Sequence, residues 1–161
     1  MTVTVTLWRI AAQTREYKAN DLSGAGAAKY PGRWNAPGEH FVYAARTLSL
    51  AVLETAAHVD DSGLPLNRFV VEISVPLKVW NARQELVLTE LDPAWCAVPA
   101  GKASMDTGSD WYKSNKSALL LAPSVVVPEE FAVLINATHP DASAISASTI
   151  RLFEFNRLFR Q

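Results

Sequence analysis

The sequence predicts an α+β fold, a single domain over residues 1–161 with a mixed or antiparallel β-sheet core and a few short helices. First, segments with strand character outnumber segments with helical spacing. Second, a length of 161 residues suits one domain. Third, 49% hydrophobic and 9% aromatic residues are ordinary for a globular protein and supply the material for one buried core.

The first half of the chain predicts two strands, a long loop and a helix. Within residues 2–10, threonines at the even positions 2, 4 and 6 alternate with Val3, Val5 and Leu7, which is the period of a half-buried strand. Glycine and proline interrupt residues 20–40 and predict an irregular loop, and a short strand follows at Phe41–Ala45. Thr47 is a candidate N-cap for a helix that extends to about residue 59. One stripe of that helix is formed by Leu50, Leu53, Glu54, Ala57 and His58.

The second half predicts the remaining strands and a second helix. A strand at residues 68–77 is apolar enough for a central position and ends near Pro76. Residues 83–110 are rich in loop-forming residues, and a short helix at 110–117, capped by Ser109 or Asp110, leads into an apolar segment at 118–122. Further strands are predicted at 125–127, 131–136 and 150–155. The total is six or seven short strands with two or three helices.

Charge and cysteine content exclude several classes of function. Fifteen Lys and Arg against sixteen Asp and Glu give a net charge of −1, so there is no basic field to hold nucleic acid or an anionic membrane. Cys96 is the only cysteine, which excludes an internal disulfide and fits a reducing cytosol. The N-terminus has no secretory pattern, and the longest apolar run, 118–123, is too short for a bilayer. We therefore expect a cytoplasmic protein.

Familiar nucleotide and metal motifs are incomplete in this chain. Gly24 and Gly26 lack the third glycine of a dinucleotide fingerprint, and no Lys-Ser/Thr pair completes a phosphate loop. The three histidines, His40, His58 and His139, are far apart in the sequence, so no metal site is predicted.

Nucleophile motifs are equally weak. Ser124, His139 and Asp141 have the residue types of a hydrolase triad, but Ser124 does not stand in a GxSxG turn. Cys96 has no recognisable neighbour that would activate it, so a packed or loop thiol is the favoured interpretation.

Four residues suggest a site for an anion. Glu54 lies on the apolar stripe of its helix and needs a partner there, for which a structural salt bridge to Arg33 or Arg46 is one alternative. Arg33 stands between a glycine and a tryptophan, where its guanidinium could hold an oxyanion bidentately. Tyr43 offers a flat ring for stacking. Arg9 falls on the apolar face of the first strand, either reaching solvent at its end or lying in a polar pocket.

A series of short blocks runs in order along nearly the whole chain, from about residue 7 to the C-terminus. The blocks are Leu7-Trp-Arg-Ile10, Leu22-Ser-Gly24, Gly32-Arg-Trp-Asn35, Val42-Tyr-Ala44, Ser49-Leu-Ala-Val-Leu-Glu54, Ala122-Pro-Ser-Val125, and Leu134-Ile-Asn136 followed by His139-Pro140. In their order and intervals they resemble the RES domain family.

The resemblance implies a toxin of a bacterial type II toxin–antitoxin system with a fold similar to that of ADP-ribosyltransferases. It implies an enzyme that breaks the nicotinamide–ribose bond of NAD+, as a phosphorylase or a glycohydrolase, and so arrests growth. NAD+ is then the substrate, inorganic phosphate is a candidate co-substrate, and no prosthetic group or metal is expected. The partner that it implies is an Xre-type helix-turn-helix antitoxin that covers the active site, in a complex that could include a homo-dimer of the toxin.

The resemblance also assigns roles to particular residues. The Arg, Glu and Ser that give the family its name map to Arg33, Glu54 and Ser124. Glu54 would stabilise the oxocarbenium-like ribosyl cation, and Arg33 would hold the pyrophosphate or an incoming phosphate. Tyr43 would stack on nicotinamide, and Ser124 would donate a hydrogen bond to phosphate or ribose. Arg9 becomes a second anion contact.

Tyr30 and Asn136 are weaker candidates for the wall of the pocket, with turn or core positions as the alternative. The chain departs from the family pattern at three C-terminal positions outside the Arg-Glu-Ser set, which are Phe131, Ala137 and Asn156. They bear on how the C-terminal part supports the pocket and the antitoxin.

Two other functions stay open at this point. One is a mono-ADP-ribosyltransferase that modifies a particular protein. The other is a non-catalytic binding module in which Arg33 and Glu54 form a structural ion pair.

Overall fold

The computed structural model describes residues 2–59 and 63–159, and its described strands form one seven-stranded sheet. The strands are β1 Thr4–Ala12, β2 Phe41–Ala45, β3 Arg68–Pro76, β4 Gln84–Glu85, β5 Leu119–Pro123, β6 Phe131–Asn136 and β7 Ser146–Phe153. Their order across the sheet is β4-β5-β6-β2-β1-β3-β7. The pair β4 and β5 is parallel and the other neighbours are antiparallel. The predicted α+β fold with a mixed sheet is confirmed.

Five α-helices are found in the described residues, where two or three were predicted. They are α1 Ala25–Lys29, α2 Leu48–Ala56, α3 Leu77–Asn81, α4 Lys102–Ser114 and α5 Asn156–Phe159. Short 3₁₀ helices lie at Leu88–Glu90, Pro93–Cys96 and Pro140–Ala144. The additional helices α1, α3 and α5 have five residues or fewer, which is too short to produce a periodic apolar pattern.

Helix α2 begins as predicted and differs from the prediction further along. The Thr47 hydroxyl accepts a hydrogen bond from the Leu50 amide at 3.1 Å, which confirms the N-cap. The helix ends at Ala56 rather than near residue 59. Its buried residues are Leu50 and Ala51, whereas Leu53 and the end of the predicted stripe are exposed.

Other boundaries also differ from the prediction. Helix α4 begins at Lys102 rather than at residue 110. The prediction missed its first part because the buried positions there include Ser104, Gly108 and Ser109, which carry no hydrophobic signal. Residues 125–127 form no strand, because their amides turn around the Ser124 hydroxyl. The loop at 20–40 contains α1, and β7 begins at Ser146 rather than at 150.

Strands β1 and β2, which carry the predicted site residues Arg9 and Tyr43, are neighbours in the sheet. These strands pair at one register position, Trp8 opposite Ala45, whereas β1 and β3 pair over nine. On one face of the sheet, Val42 packs in a core with Leu7. On the opposite face, Phe41 and Tyr43 pack with Leu134 and with tryptophans from the loops and α4. Within residues 2–59 and 63–159, no helix combines the length and apolar character needed to cross a bilayer.

Candidate active site

The loop between α1 and β2, residues 31–40, carries Arg33 and is called the arginine loop below. Asn35 is fully buried at its centre. The Asn35 Oδ1 accepts hydrogen bonds from the Gly32 amide at 2.9 Å and from the Tyr43 hydroxyl at 2.7 Å. Its Nδ2 donates to the Ala27 carbonyl at 2.9 Å. One side chain therefore ties the loop to α1 and to β2 and defines the backbone on both sides of Arg33.

Tyr43 of β2 packs against the arginine loop and forms hydrogen bonds with it. Its hydroxyl accepts a hydrogen bond from the Trp34 amide at 3.1 Å as well as donating to Asn35. Gly32 lies against the ring so closely that a Cβ there would be 2.7 Å from the Tyr43 Cζ. Burial raises the pKa of the Tyr43 phenol well above its usual range, so it stays neutral at physiological pH. The neutral hydroxyl both accepts from the Trp34 amide and donates to Asn35, which fixes the loop on β2.

Arg33 is oriented by backbone carbonyls. Its Nη1 donates to the Trp95 carbonyl at 3.0 Å and to the Ala97 carbonyl at 2.7 Å. Burial lowers the pKa of Arg33, and the neighbouring Cys96, Glu54 and Tyr43 raise it. A guanidinium has five N–H donors and stays charged in proteins. Among the described residues its Nε and Nη2 have no hydrogen-bond partner, so these nitrogens are available to an anion.

Glu54 is half-buried on α2 and close enough to Arg33 to raise the pKa of the guanidinium. Within residues 2–59 and 63–159, its carboxylate forms no hydrogen bond and no ion pair. The alternative of a structural salt bridge from Glu54 to Arg33 or Arg46 is therefore not found among the described residues. The reason is that Arg33 is held by the two carbonyls and Arg46 stacks over the Trp80 ring at 4.5 Å.

Ser124 lies at the end of β5 and is buried. Its Oγ accepts hydrogen bonds from the amides of Val126 at 3.1 Å and Val127 at 3.0 Å, and its own amide donates to the Glu130 carbonyl at 2.9 Å. The side chain thus closes the turn between β5 and β6. No hydrogen bond in the described structure joins it to Arg33, and its role toward a substrate stays a prediction.

Among the described residues, no hydrogen bond joins the three remaining predicted residues, Arg9, Tyr30 and Asn136, to the Arg33 side chain. Arg9 projects from the sheet face opposite Tyr43; burial lowers the pKa of Arg9, and the charge of Asp21 raises it. Tyr30 is 73% exposed at the end of α1. Asn136 is buried at the end of β6, where its Oδ1 accepts from the Thr138 amide at 3.0 Å, a turn contact. Their roles toward substrate also stay predictions.

Sequence reasoning missed three residues that define the site. Asn35 belongs to the Gly32-Arg-Trp-Asn35 block, so an amide side chain two residues after the arginine could have indicated a residue of the site. Trp95 stacks on Trp34 with ring centroids 6.0 Å apart, and it lies in a region without periodicity. Glu39 is only 7% exposed, in a loop where no pattern indicates burial.

A separate cleft of about 320 Å³ lies beside Trp80. The guanidinium groups of Arg46 and Arg83 lie 4.5 and 4.4 Å from the Trp80 ring centroid, and Arg83 is paired with Glu85. None of the predicted site residues lines this cleft. In the described part of the chain, no three His, Cys, Asp or Glu side chains form a group that could hold a metal ion.

The fold and site define an α+β protein that holds an arginine beside an unpaired carboxylate. A model of the RES domain matches residues 6–156, so the chain belongs to the RES domain family. A protein of Sphingobium sp. (strain YBL2) named Prs ADP-ribosylating toxin is 48% identical over 160 residues, 99% of each chain. A protein of Yersinia enterocolitica named Toxin Res is 37% identical over 134 residues, 83% of this chain and 84% of the relative. The predicted resemblance is confirmed: this is a RES-domain toxin.

The solved M. tuberculosis MbcT-MbcA toxin-antitoxin complex contains a chain with a similar fold. The TM-score is 0.58 over 94% of this chain and 86% of that chain, at 16% sequence identity. At this identity the likeness concerns the fold alone.

Proposed function

We propose that this chain cleaves the nicotinamide–ribose bond of NAD+ and acts as the toxin of a toxin–antitoxin pair. The observation that carries the proposal is the relation of Arg33 to Glu54. The two side chains are within electrostatic reach and do not pair, since Arg33 is held by the carbonyls of Trp95 and Ala97. Each therefore keeps its charge available for a substrate that has both an anionic and a cationic part.

The chemistry of bond cleavage requires a carboxylate in such a place. When nicotinamide leaves, positive charge develops on the ribosyl carbon and ring oxygen. A carboxylate fixed before the reaction stabilises that charge without reorganisation during the step. Glu54 on α2 is our candidate for this role. The bond from ribose to nicotinamide breaks with its electron pair going to nicotinamide. An oxygen of phosphate, or of water that releases a proton, then bonds to the ribosyl carbon.

Arg33 is the candidate for the anionic part of the substrate. Both carbonyl contacts are made by Nη1, so the N–H groups of Nε and Nη2 remain for a ligand. On a planar guanidinium these two nitrogens suit a bidentate phosphate. The Tyr43 ring is the candidate surface for stacking on nicotinamide. Ser124, Arg9, Tyr30 and Asn136 are proposed as further contacts to phosphate, ribose or the pocket wall. NAD+ is the substrate and inorganic phosphate a candidate co-substrate.

The partner in this proposal is an antitoxin that covers Arg33 and Glu54. The solved toxin-antitoxin complex with a similar fold supports an antitoxin partner. We propose an antitoxin of the Xre helix-turn-helix type and a complex that could contain a homo-dimer of this chain. The cytoplasm is the compartment that we expect.

The test is to incubate antitoxin-free protein with NAD+, with and without inorganic phosphate, and to identify the products by mass. Nicotinamide release without a protein acceptor supports the proposal. ADP-ribose phosphate formed only with phosphate defines a phosphorylase, and ADP-ribose in both tubes defines a glycohydrolase. Glu54→Gln and Arg33→Ala should each slow release by about 100-fold or more. Glu129→Gln, an exposed carboxylate in the turn after β5, is the matched control. Full activity of both site variants would refute the site.

One observation supports a protein side chain as a second candidate acceptor of the ADP-ribosyl group. The Sphingobium relative, 48% identical, is named an ADP-ribosylating toxin. This name favours transfer of the ADP-ribosyl group to a protein side chain after the same bond cleavage. Labelled NAD+ added to cell lysate should then mark one protein band with the wild-type chain and none with Glu54→Gln. Free ADP-ribose products with no labelled band would exclude this acceptor.

A further inference from the structure

Glu39 is a buried carboxylate outside the proposed chemistry. It is 7% exposed and lies in the arginine loop, before β2. Its Oε1 accepts a hydrogen bond from the Ala36 amide at 2.7 Å, and its Oε2 accepts one from the Ser109 hydroxyl at 2.5 Å. Burying a carboxylate is costly unless hydrogen bonds compensate it. Here both oxygens are satisfied by groups that belong to the loop and to the helix beside it.

Ser109 is part of a wider contact between α4 and the arginine loop. The Ser104 hydroxyl donates to the Arg33 carbonyl at 3.0 Å. Gly108 lies against the Trp34 carbonyl, where a Cβ would be 1.8 Å from the oxygen. The helix therefore contacts the loop at Arg33, at Trp34 and at Glu39, and its Tyr112 hydroxyl accepts a hydrogen bond from the His40 amide at 3.2 Å. Among the described residues, the Glu39–Ser109 bond is the one hydrogen bond to α4 that a side chain of the loop makes.

We propose that Glu39 is a positioning residue for Arg33. By holding the Ala36 amide and the Ser109 hydroxyl, its carboxylate fixes the arginine loop on α4, and the fixed loop directs the Arg33 guanidinium to the Trp95 and Ala97 carbonyls. Without the carboxylate, the loop keeps its Asn35 and Tyr43 contacts and the α4 hydrogen bonds of the Arg33 carbonyl and the His40 amide, but it loses the side-chain contact to α4 that lies between them. The guanidinium is then no longer held in one position, and its Nε and Nη2 are no longer oriented toward one site for an anion.

The chain contains a reporter of Arg33 that does not depend on activity. Cys96 is exposed, is the only cysteine, and is close enough to Arg33 to raise the pKa of the guanidinium. It also lies between the two residues whose carbonyls Arg33 contacts. A fixed positive charge attracts an anionic thiol reagent, so the rate of reaction with 5,5′-dithiobis(2-nitrobenzoate) depends on the position of Arg33.

The experiment compares Glu39→Ala, Glu39→Gln and Ser109→Ala with the wild-type chain, each alone and combined with Arg33→Ala. Thr107→Ala is the matched control, because its hydroxyl bonds within α4 to the Ala103 carbonyl at 3.0 Å and does not contact the loop. Circular dichroism establishes that each variant is folded at the assay temperature. Glutamine can still accept from the Ala36 amide, so Glu39→Gln keeps part of the contact if Glu39→Ala fails to fold.

We expect Glu39→Ala to change the thiol rate in the direction that Arg33→Ala does, by about threefold or more. In the Arg33→Ala background it should have no further effect, because a positioning residue acts through the group that it positions. Thr107→Ala should leave the rate unchanged. An unchanged thiol rate in folded Glu39→Ala, or the same factor with and without Arg33, would overturn the inference.

The kinetic arm rests on the proposed function. If the wild-type chain consumes NAD+, Glu39→Ala should raise KM by about tenfold with a smaller change in kcat, since a misplaced guanidinium weakens anion binding. Glu39→Gln should recover part of that loss. A wild-type chain that leaves NAD+ intact would count against the proposed function, while the thiol rates would still decide the role of Glu39.

Discussion

Replacing Gly108 by alanine tests the contact between α4 and the arginine loop most directly. Alanine is the better helix former by about 1 kcal/mol, so an isolated helix would gain stability. In this structure the new Cβ would lie 1.8 Å from the Trp34 carbonyl oxygen. Ordinary contact needs a separation larger by roughly 1.5 Å or more. The obstacle is backbone rather than the end of a flexible side chain, so helix and loop must move apart.

The gain in helix propensity and the steric clash with Trp34 change the stability in opposite directions, and their magnitudes decide the outcome. Overpacking of a well-packed site costs about 1–3 kcal/mol, and the displacement also endangers the Ser104–Arg33 hydrogen bond, worth about 1 kcal/mol. After the gain in helix propensity, we expect the free energy of unfolding to fall by about 1–3 kcal/mol. Gly26→Ala in α1 is the control, because a Cβ there meets nothing within 4 Å. It should be neutral or stabilise by up to about 1 kcal/mol.

Urea unfolding followed by tryptophan fluorescence and circular dichroism measures both variants, since the chain contains five tryptophans. The comparison is valid if the m-value is unchanged, because m reports the surface exposed on unfolding. A Gly108→Ala midpoint equal to or above that of the wild type, with the same m-value, would refute the close approach of α4 to Trp34.

Three further outcomes follow from the same contacts. Thr47→Ala should lower the free energy of unfolding by about 1 kcal/mol in urea, because the Leu50 amide loses its cap, whereas exposed Ser49→Ala should not. Tyr43→Phe should cost about 1–3 kcal/mol in the same assay by leaving the Asn35 Oδ1 and the Trp34 amide without the hydroxyl. Because burial raises the pKa of Tyr43, its contribution to stability should be complete below about pH 10 and fall as the pH rises further. Urea midpoints from pH 8 to 11 should show this decline, and Tyr43→Phe should lack it.

The sequence was informative wherever a side chain's environment is set by its near neighbours. The alternation in residues 2–10 and the apolar run at 68–77 predicted β1 and β3 because a sheet face imposes a period of two. Arg33, Tyr43 and Glu54 were predicted together because the loop, strand and helix that carry them follow one another along the chain, and their roles stay a prediction. The start of α4 was not predicted, because Trp111 is the only hydrophobic residue among its buried positions and the others are Ser104, Gly108 and Ser109. Its partner is a loop backbone distant in sequence, and such a contact leaves no hydrophobic period.

The way in which Arg33 is held separates a catalytic site from a structural ion pair. In an ion pair, Arg33 and Glu54 would neutralise each other, and removing either would leave a buried charge at a cost of about 3–5 kcal/mol. Carbonyls orient a guanidinium without cancelling its charge, and that is the arrangement found. Glu54→Gln should therefore change the free energy of unfolding by less than about 0.5 kcal/mol. Arg33→Ala should cost about 1–3 kcal/mol through the lost carbonyl contacts. Equal, large losses for both variants in urea would show that the pair is structural and remove the main support for NAD+ cleavage.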